Sequence, residues 1–512
     1  MKNIRKYLAT LAAIGILAGC SDDMINIEPK DQLLFSTVLT SLEGLEGAIY
    51  GVYERGRFFY SDNDFCLYKT FYTDIIKAGT NIQDQATWNA MATFTGFSTD
   101  NVAVQRLWDG YYAGLNRANA IIYNIDNAQE GERRNTVLGE AYYFRAYFHL
   151  GLVEYWDNIV LMKSMKTDPN DPTVLSPKDE VYDLIVSDLL TAIPLLPEAS
   201  NVSCRGKVSK GVARHVLSLA YMDMGRYAEA ADMAVQVIND PAYAFAPLED
   251  IFSITNQENS EIIFSWQFSN DEFQNLNGAK QRTSMQLTPL YDRVNGVART
   301  HEQGGRPWSR MSPTEYYWTL FEEDDLRLEA WHKRYWIYDI DSAGVDELPP
   351  GVSIGDTATP ENIVETSGYG ARVIEPTTTK YWEGGELGRT TEEAEGYRNI
   401  IQYRLSQAYL IAAEAYLRAG NAPAGQPYLD AVRTRAGVGT IELNEQNILD
   451  EQARELGHEG HRYPMLKRLN LVIDRVRLYS PEIGANMLPH HVRLPIPQQF
   501  VDLTKVPQNE GY

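Results

Sequence analysis

Few groupings of residues in this chain could make or break bonds. In "GHEGH", Gly457 to His461, the histidines stand three apart, whereas a helical zinc pair needs a spacing of four to put both rings on one face. The segment is expected to be scaffold, with no metal. "FEEDDLR" places acids at Glu322 to Asp325, and paired carboxylates are the tools of glycoside hydrolysis. Neighbours along a helix point in different directions, however, so these acids do not form a facing pair. A solvated face with Asp324 or Asp325 paired to Arg327 is the simpler reading. No nucleophile pattern is read from the serines, histidines and cysteines, and no P-loop or dinucleotide fingerprint is present. Catalytic residues and cofactors are therefore not expected. What remains is stacking. The chain holds nine tryptophans and 32 tyrosines, and flat rings with polar tips suit sugars or peptides. Trp308 stands beside Gly304, Gly305 and Arg306, Trp382 lies in another glycine-rich piece, and Tyr291 follows Pro289. A ring can lie on the apolar face of a sugar while a guanidinium or carboxylate makes charge-assisted bonds to adjacent hydroxyls. Trp308, Arg306 and Tyr291 are accordingly candidates for ligand binding.

The first residues concern location. Lys2, Arg5 and Lys6 precede the short apolar run "YLATLAAIGILAGC", too short for a bilayer-spanning helix and suited to a secretory signal. Leu17-Ala18-Gly19-Cys20 resembles a lipobox, which makes residues 1–19 a signal peptide and Cys20 the lipidated first residue of the mature chain. More than one acyl chain is needed for a stable hold, and lipidation of both the thiol and the new amino terminus would supply that. Ser21-Asp22-Asp23 resembles the acidic tag of lipoproteins displayed on the outer face of the outer membrane. The net charge of −23 leaves no basic stripe for a phosphate backbone, which excludes nucleic acid as the natural partner. Cys66 and Cys204 make no disulfide framework and are expected to be buried and free.

The body reads at helical period. Leu107, Tyr111, Leu115, Ala118, Ile122 and Ile125 share one face, and Ser176 with Pro177 and Asp179 suggests a capped helix start. "HVLSLAYMDMGRYAEAADMAVQVINDP" pairs two helices around Gly225, close to tetratricopeptide spacing. "AYLIAAEAYLRAGNAPAGQPYLDAVRTRAG" repeats the arrangement around Gly420, and "LGEAYYFRAYFHLGLVEYW" is a weaker third. The hairpins lie far apart in sequence, so no uniform array is expected. From about residue 246 to 392 the helical period fades, "SEIIFSWQFS" alternates like a strand, and glycine and proline cluster. Loops of such length are commonly functional. The tail "HHVRLPIPQQFVDLTKVPQNEGY" is expected to lie extended over the body.

Taken in order, the lipobox, "YYFRAYFHLGLVEYW", the Gly225 hairpin, "SEIIFSWQ", "SPTEYYWTLFEEDDLR", "TTTKYW", "YRLSQAYLIAAEAYLRAG", "ILDEQARELGHEGHRYPMLKR" and "LPIPQQF" with "PQNEGY" resemble the SusD/RagB family of outer-membrane lipoproteins. Gln407, Gln452 and Pro464-Met465 depart from that family's common pattern, at scaffold positions. The resemblance implies a mainly α, SusD-like fold of tetratricopeptide-type hairpins with a loop-rich insert and few short strands. It divides the chain into the signal (1–19), a lipidated tether (20–38), an N-terminal helical part (39–245), a ligand-binding insert (246–392) and a C-terminal helical part with its tail (393–512). It also implies a binding protein without catalysis, which captures oligosaccharide and passes it to a SusC-like TonB-dependent transporter. Trp88 and Asp74, in "YTDIIKAGTNIQDQATWNAMATF", fall where the resemblance places part of the binding arc. Peptide capture in the RagB manner is the alternative, and a structural helical-repeat adaptor is a third reading.

Overall fold

The computed structural model describes residues 38–61, 73–81, 86–165, 172–271, 280–340, 348–365 and 367–512. The signal segment, Cys20, nearly all of the tether and Cys66 lie outside them. Cys204 is free but half-buried, not sealed in the interior.

The long helices are α1 (Leu42–Ser61), α2 (Ala86–Thr93), α3 (Val102–Asn124), α4 (Glu132–Trp156), α5 (Lys178–Leu195), α6 (Lys210–Asp223), α7 (Tyr227–Ile238), α8 (Leu405–Arg418), α9 (Ala422–Arg435), α10 (Glu445–Leu456), α11 (Arg462–Arg468) and α12 (Val472–Tyr479). Helix α4 is the centre: it is buried on nearly all sides, as a helix apolar all round must be. It packs on α1, α3, α5 and α6. Two glycines set its approach to α3. A Cβ at Gly114 would meet the Phe148 ring at 2.5 Å and one at Gly151 the Tyr111 ring at 2.3 Å. Gly225 and Gly420 close their hairpins with φ of +70° and +78°, the left-handed conformation a helix C-cap demands. Helix α5 starts one residue later than its capping pattern suggests. Ser176 is engaged in a backbone bridge to Ile159 (2.7 and 3.2 Å), so Pro177 takes the N-cap place without a side-chain bond.

The hairpins are not dispersed. Helix α7 packs directly on α8, which continues the series α3, α4, α5, α6, α7, α8, α9 in space, although residues 239–404 intervene in sequence. The expectation of dispersed hairpins is therefore corrected, although the interrupted series of unequal helices is not a uniform array: stacking buries the apolar faces that a single hairpin leaves open, and the insertion loops out. A strand pair closes that loop. β2 (Ile262–Trp266) runs antiparallel to β8 (Ile400–Arg404), with Trp266 opposite Ile400, and β8 leads straight into α8. The remaining strands are β1 (Ile76–Ala78), β3 (Met311–Pro313), β4 (His332–Lys333), β5 (Trp336–Ile337), β6 (Thr357–Ala358) and β7 (Thr377–Thr378), paired β1–β3, β4–β7 and β5–β6. The insert has a small core of its own around Tyr291, Val294, Trp336, Tyr338 and Val373. The tail crosses the body, with Trp156 Nε1 donating to the Pro495 carbonyl at 2.8 Å and Leu494 N to Tyr155 O at 2.9 Å, but it is not extended throughout, since Gln498–Thr504 form a short helix. Among the described residues no helix is long and apolar enough to cross a membrane.

Insert and body are joined by buried charge. Glu451, Glu455 and Glu459 follow one another at four-residue spacing and are all buried. Arg327 reaches Glu451 at 2.7 Å and Glu455 at 3.0 Å, and Arg404 and Lys380 reach Glu459 at 2.8 and 2.7 Å. Arg433 joins Glu451 at 2.9 Å. Buried carboxylates persist as ions only with such partners. Asp325 does pair with Arg327 (2.7 Å), as read from the sequence, but both are fully buried, not on a solvated face. The "GHEGH" turn belongs to this region: His458 is buried with φ +70°, and burial with Lys380 nearby pushes its imidazole down to about 3.

Candidate ligand-binding surface

Segment 308–310 is held from two sides. Trp308 N, Ser309 N and Arg310 N donate to the carbonyls of Met285, Thr288 and Gln286 at 2.8, 2.9 and 2.8 Å. On the other side β3 pairs with β1, Ala78 opposite Met311. The pairing continues past the strand, with Gly79 N on Arg310 O at 2.9 Å and Asn81 N on Ser309 O at 3.0 Å. Only glycine fits at residue 79, because a Cβ there would stand 2.2 Å from the Ser309 carbonyl oxygen. Ser309 itself adopts φ +48°, which turns consecutive side chains out of strand alternation, and its hydroxyl accepts from Thr80 Oγ1 at 2.7 Å.

These constraints bring two sequence candidates together through a residue the sequence reading missed. The Arg310 guanidinium carbon lies 4.6 Å from the Trp88 ring centroid and 5.6 Å from that of Trp308. A guanidinium between two indoles is a cation–π arrangement that fixes both rings. Its Nη1 also donates to the Asn81 carbonyl. Trp308 is half-buried, with its inner edge on the main core. Trp88, on α2, retains 7 % exposure and so serves more as the backing of the stack than as its open face. Tyr369, 38 % exposed, donates to Asn81 Oδ1 at 3.3 Å and adds a ring at the rim. Arg306 is exposed, with Nη1 on the Glu392 carbonyl at 2.9 Å, which ties the loop before Trp308 to the loop at 389–393. The amphipathic step Trp308-Ser309-Arg310 was the sequence signal for Arg310; nothing local marked Asn81 or Tyr369.

Two other candidates lie inside. Asp74 is 0 % exposed. Arg462 grips both its oxygens at 2.8 and 2.7 Å, and Arg475 Nε donates at 2.6 Å. Burial pushes its carboxyl up, but the two guanidiniums hold it below the usual carboxylate range. It anchors the start of β1 to α11 and α12, and its burial keeps a surface ligand from reaching it. Tyr291 is also 0 % exposed, stacked on Trp336 at 6.1 Å, and its hydroxyl donates to the Gly305 carbonyl at 2.5 Å. It shapes the glycine loop before Trp308 from beneath. Both assignments as direct ligand contacts are therefore corrected. The sequence also contains a G-x-S-x-G spacing, Gly351 to Gly355, contrary to the reading of no nucleophile pattern. It sits in an exposed turn where Ser353 N donates to Asp356 Oδ2 at 2.8 Å, not at the strand-to-helix elbow that activates such a serine.

Comparison with known proteins agrees with this architecture. A profile described as "Starch-binding associating with outer membrane" matches residues 28–222, and the SusD family profile matches residues 260–512. A SusD-like protein of Formosa agariphila, P2, is 26 % identical over 99 % of this chain and 100 % of its own length. Among solved structures, a laminarin-binding SusD-like protein superposes with a TM-score of 0.75 at 21 % identity, covering 91 % of this chain and 99 % of that one. Surface glycan-binding protein A of Bacteroides thetaiotaomicron, solved with laminarihexaose, gives 0.74 at 22 % identity, over 92 % and 99 %. With both halves matched in order and the whole fold shared, the chain belongs to the SusD/RagB family.

Proposed function

We propose that this protein captures glycan at the cell surface without cleaving it. It is tethered by lipid at Cys20 to the outer face of the outer membrane and passes its ligand to a SusC-like TonB-dependent transporter. The observation that carries the reading is the Trp88–Arg310–Trp308 stack, with the outer indole half-buried beside Tyr369 and Asn81. The open side of Trp308 would take the apolar face of a sugar ring. Tyr369, the Asn81 amide and Arg306 stand near enough along the loops to meet hydroxyls. Support comes from the relatives: a laminarin-binding protein and one solved with laminarihexaose share this fold. The chemistry gathered here is stacking and hydrogen bonding, and the buried acid Asp74 is engaged by its two arginines.

Affinity gels containing laminarin or starch, with an oligopeptide panel run alongside, test the reading. Retardation by a glycan that Trp308→Ala weakens about 30-fold, the effect of losing an anchor worth about 2 kcal/mol, supports it. Peptide binding without glycan binding would favour capture in the RagB manner, and turnover of bonds in the glycan by pure protein would end the proposal.

A further inference from the structure

A cavity of about 100 Å³ lies within the helical body, with none of the stack's residues in its lining. Its walls come from α3 and α4 (Tyr111, Tyr147, Tyr155), from α8 (Gln407, Glu414) and from α10 (Gln452). A second space of about 200 Å³ adjoins it and shares Glu154, Asp223, Pro464 and Arg468 with it, so these residues form the neck between the two. The outer space is polar and reaches Lys178 and Asp157 near the surface.

The decisive atom is on Gln452, which is only 8 % exposed. Its Nε2 donates to Glu414 Oε2 at 2.9 Å. Burial pushes the Glu414 carboxyl up, but Arg468 and Arg418 bring it down to about 2. An ionised carboxylate accepts only, so the amide cannot be turned round: Nε2 must face Glu414, and Oε1 is left buried with no protein donor. A buried acceptor without a partner is costly. Gln407 stands opposite, held by His215 at 2.9 Å, and tyrosine rings complete the lining.

Three classes of guest can be compared. A hydrocarbon would leave the Gln452 oxygen unpaired. An anion would meet Glu154, Asp223 and Glu414 in the lining and a cation Arg462 and Arg468, so an ion of either sign would give up its hydration beside groups of its own charge. A neutral molecule with hydroxyls on its rim and C–H groups on its faces satisfies both the oxygen and the rings. We infer that this cavity and the outer space, about 100 and 200 Å³, together form a second binding site, for a neutral polyol no larger than a single sugar ring, seated across the Glu154–Arg468 neck. The site is independent of the surface reading, since it shares no residue with the indole stack.

The test uses the full-length protein and saturation-transfer NMR with D-glucose, D-galactose, D-mannose and myo-inositol, followed by titration calorimetry on whichever binds. The expected result is binding that Trp308→Ala leaves unchanged and that Gln452→Leu weakens about tenfold, the cost of one lost buried hydrogen bond. Gln452→Met, closer in shape, repeats the test should the leucine variant fail to fold. Met465→Trp, at the cavity wall, should block entry as well. The inference is overturned if none of the four binds, if both Gln452 variants bind as the parent does, if Trp308→Ala abolishes the signal, or if crystals soaked in the bound sugar show only ordered water there.

Discussion

Replacing Asp74 by asparagine separates a structural role from a binding one. The aspartate sits between Arg462 and Arg475 with three contacts of 2.6 to 2.8 Å. Each arginine keeps one further acceptor: Arg462 the Leu449 carbonyl at 2.7 Å and Arg475 the Tyr316 hydroxyl at 2.5 Å. The asparagine retains the shape but removes the carboxylate that joins buried Arg462 to half-buried Arg475. Breaking one side of a buried ion pair costs about 3–5 kcal/mol. Unfolding entropy of about 2 cal/mol/K per residue amounts to about 1 kcal/mol/K over a chain of this size. Cooperative unfolding of Asp74→Asn should therefore come about 4 °C earlier in calorimetry at pH 7. The sign of the pH dependence follows from the lowered acidity constant. The carboxylate's contribution is complete above its unfolded value near 3.9 and fades as the pH falls through the lower folded value, so the gap between parent and variant should narrow below about pH 4. Glycan affinity, measured where the variant is still folded, should stay within about threefold, because β1 remains pinned to 309–310 by its own backbone. A variant with the parent's melting temperature and no glycan binding would show that Asp74 contacts ligand and that the placement argued above is wrong.

Other expectations follow from the same geometry. Gly79→Ala should lose both stability and glycan affinity, since its Cβ would stand 2.2 Å from the Ser309 oxygen and must part β1 from the Trp308 segment; unaltered binding in affinity gels would refute this. Arg310→Met should weaken glycan binding about tenfold by freeing the two indoles, with tryptophan fluorescence reporting their loosened packing; unchanged fluorescence and affinity would count against the stack. Acid unfolding followed by circular dichroism should begin below the unfolded carboxylate range and be complete near pH 2. Glu414 and Glu459 are both held at about 2, and groups with lowered folded values lose their contribution as pH falls toward those values. Full native signal at pH 1.5 would contradict it.

Much of the frame was legible because it is written locally. Glycines 225 and 420 punctuate helices at fixed offsets, and "SEIIFSW" alternates as a strand must. Contacts between distant segments were not. Asp74 reads as an acid in a polar loop, and its partners stand almost four hundred positions later, so nothing nearby distinguishes it from a ligand-facing carboxylate. The burial of Glu451, Glu455 and Glu459, spaced four apart, likewise has no local sign. They are dry because Arg327, Lys380 and Arg404 arrive from elsewhere in the chain. Tyr291 was recognised as a ring near the glycine loop, but whether such a ring lies above or beneath a loop depends on the insert's small core, which no local pattern reveals. The stacking of α7 on α8 was hidden for the opposite reason, that sequence distance suggested separation where the β2–β8 pair returns the chain to its starting point.

That return also bears on how an irregular insert can hold a binding surface rigid. A loop-rich segment has little apolar burial of its own, and ordering it costs backbone entropy at every residue. Here its ends are fastened by Trp266 opposite Ile400, and its middle by Arg327 and Lys380, which reach carboxylates of the helical body. Those bonds are mutual. Without the insert, Glu451 and Glu455 would each lose a buried guanidinium and Glu459 its ammonium, while Arg327 would keep only Asp325 and Lys380 would lose Glu459. Body and insert are therefore unsuited to separate folding, whatever boundary is drawn between them near residues 246 and 392. The indole stack gains its rigidity from the same source, since β3, which carries the chain away from Arg310, leads about a dozen residues on to the buried pair of Asp325 and Arg327.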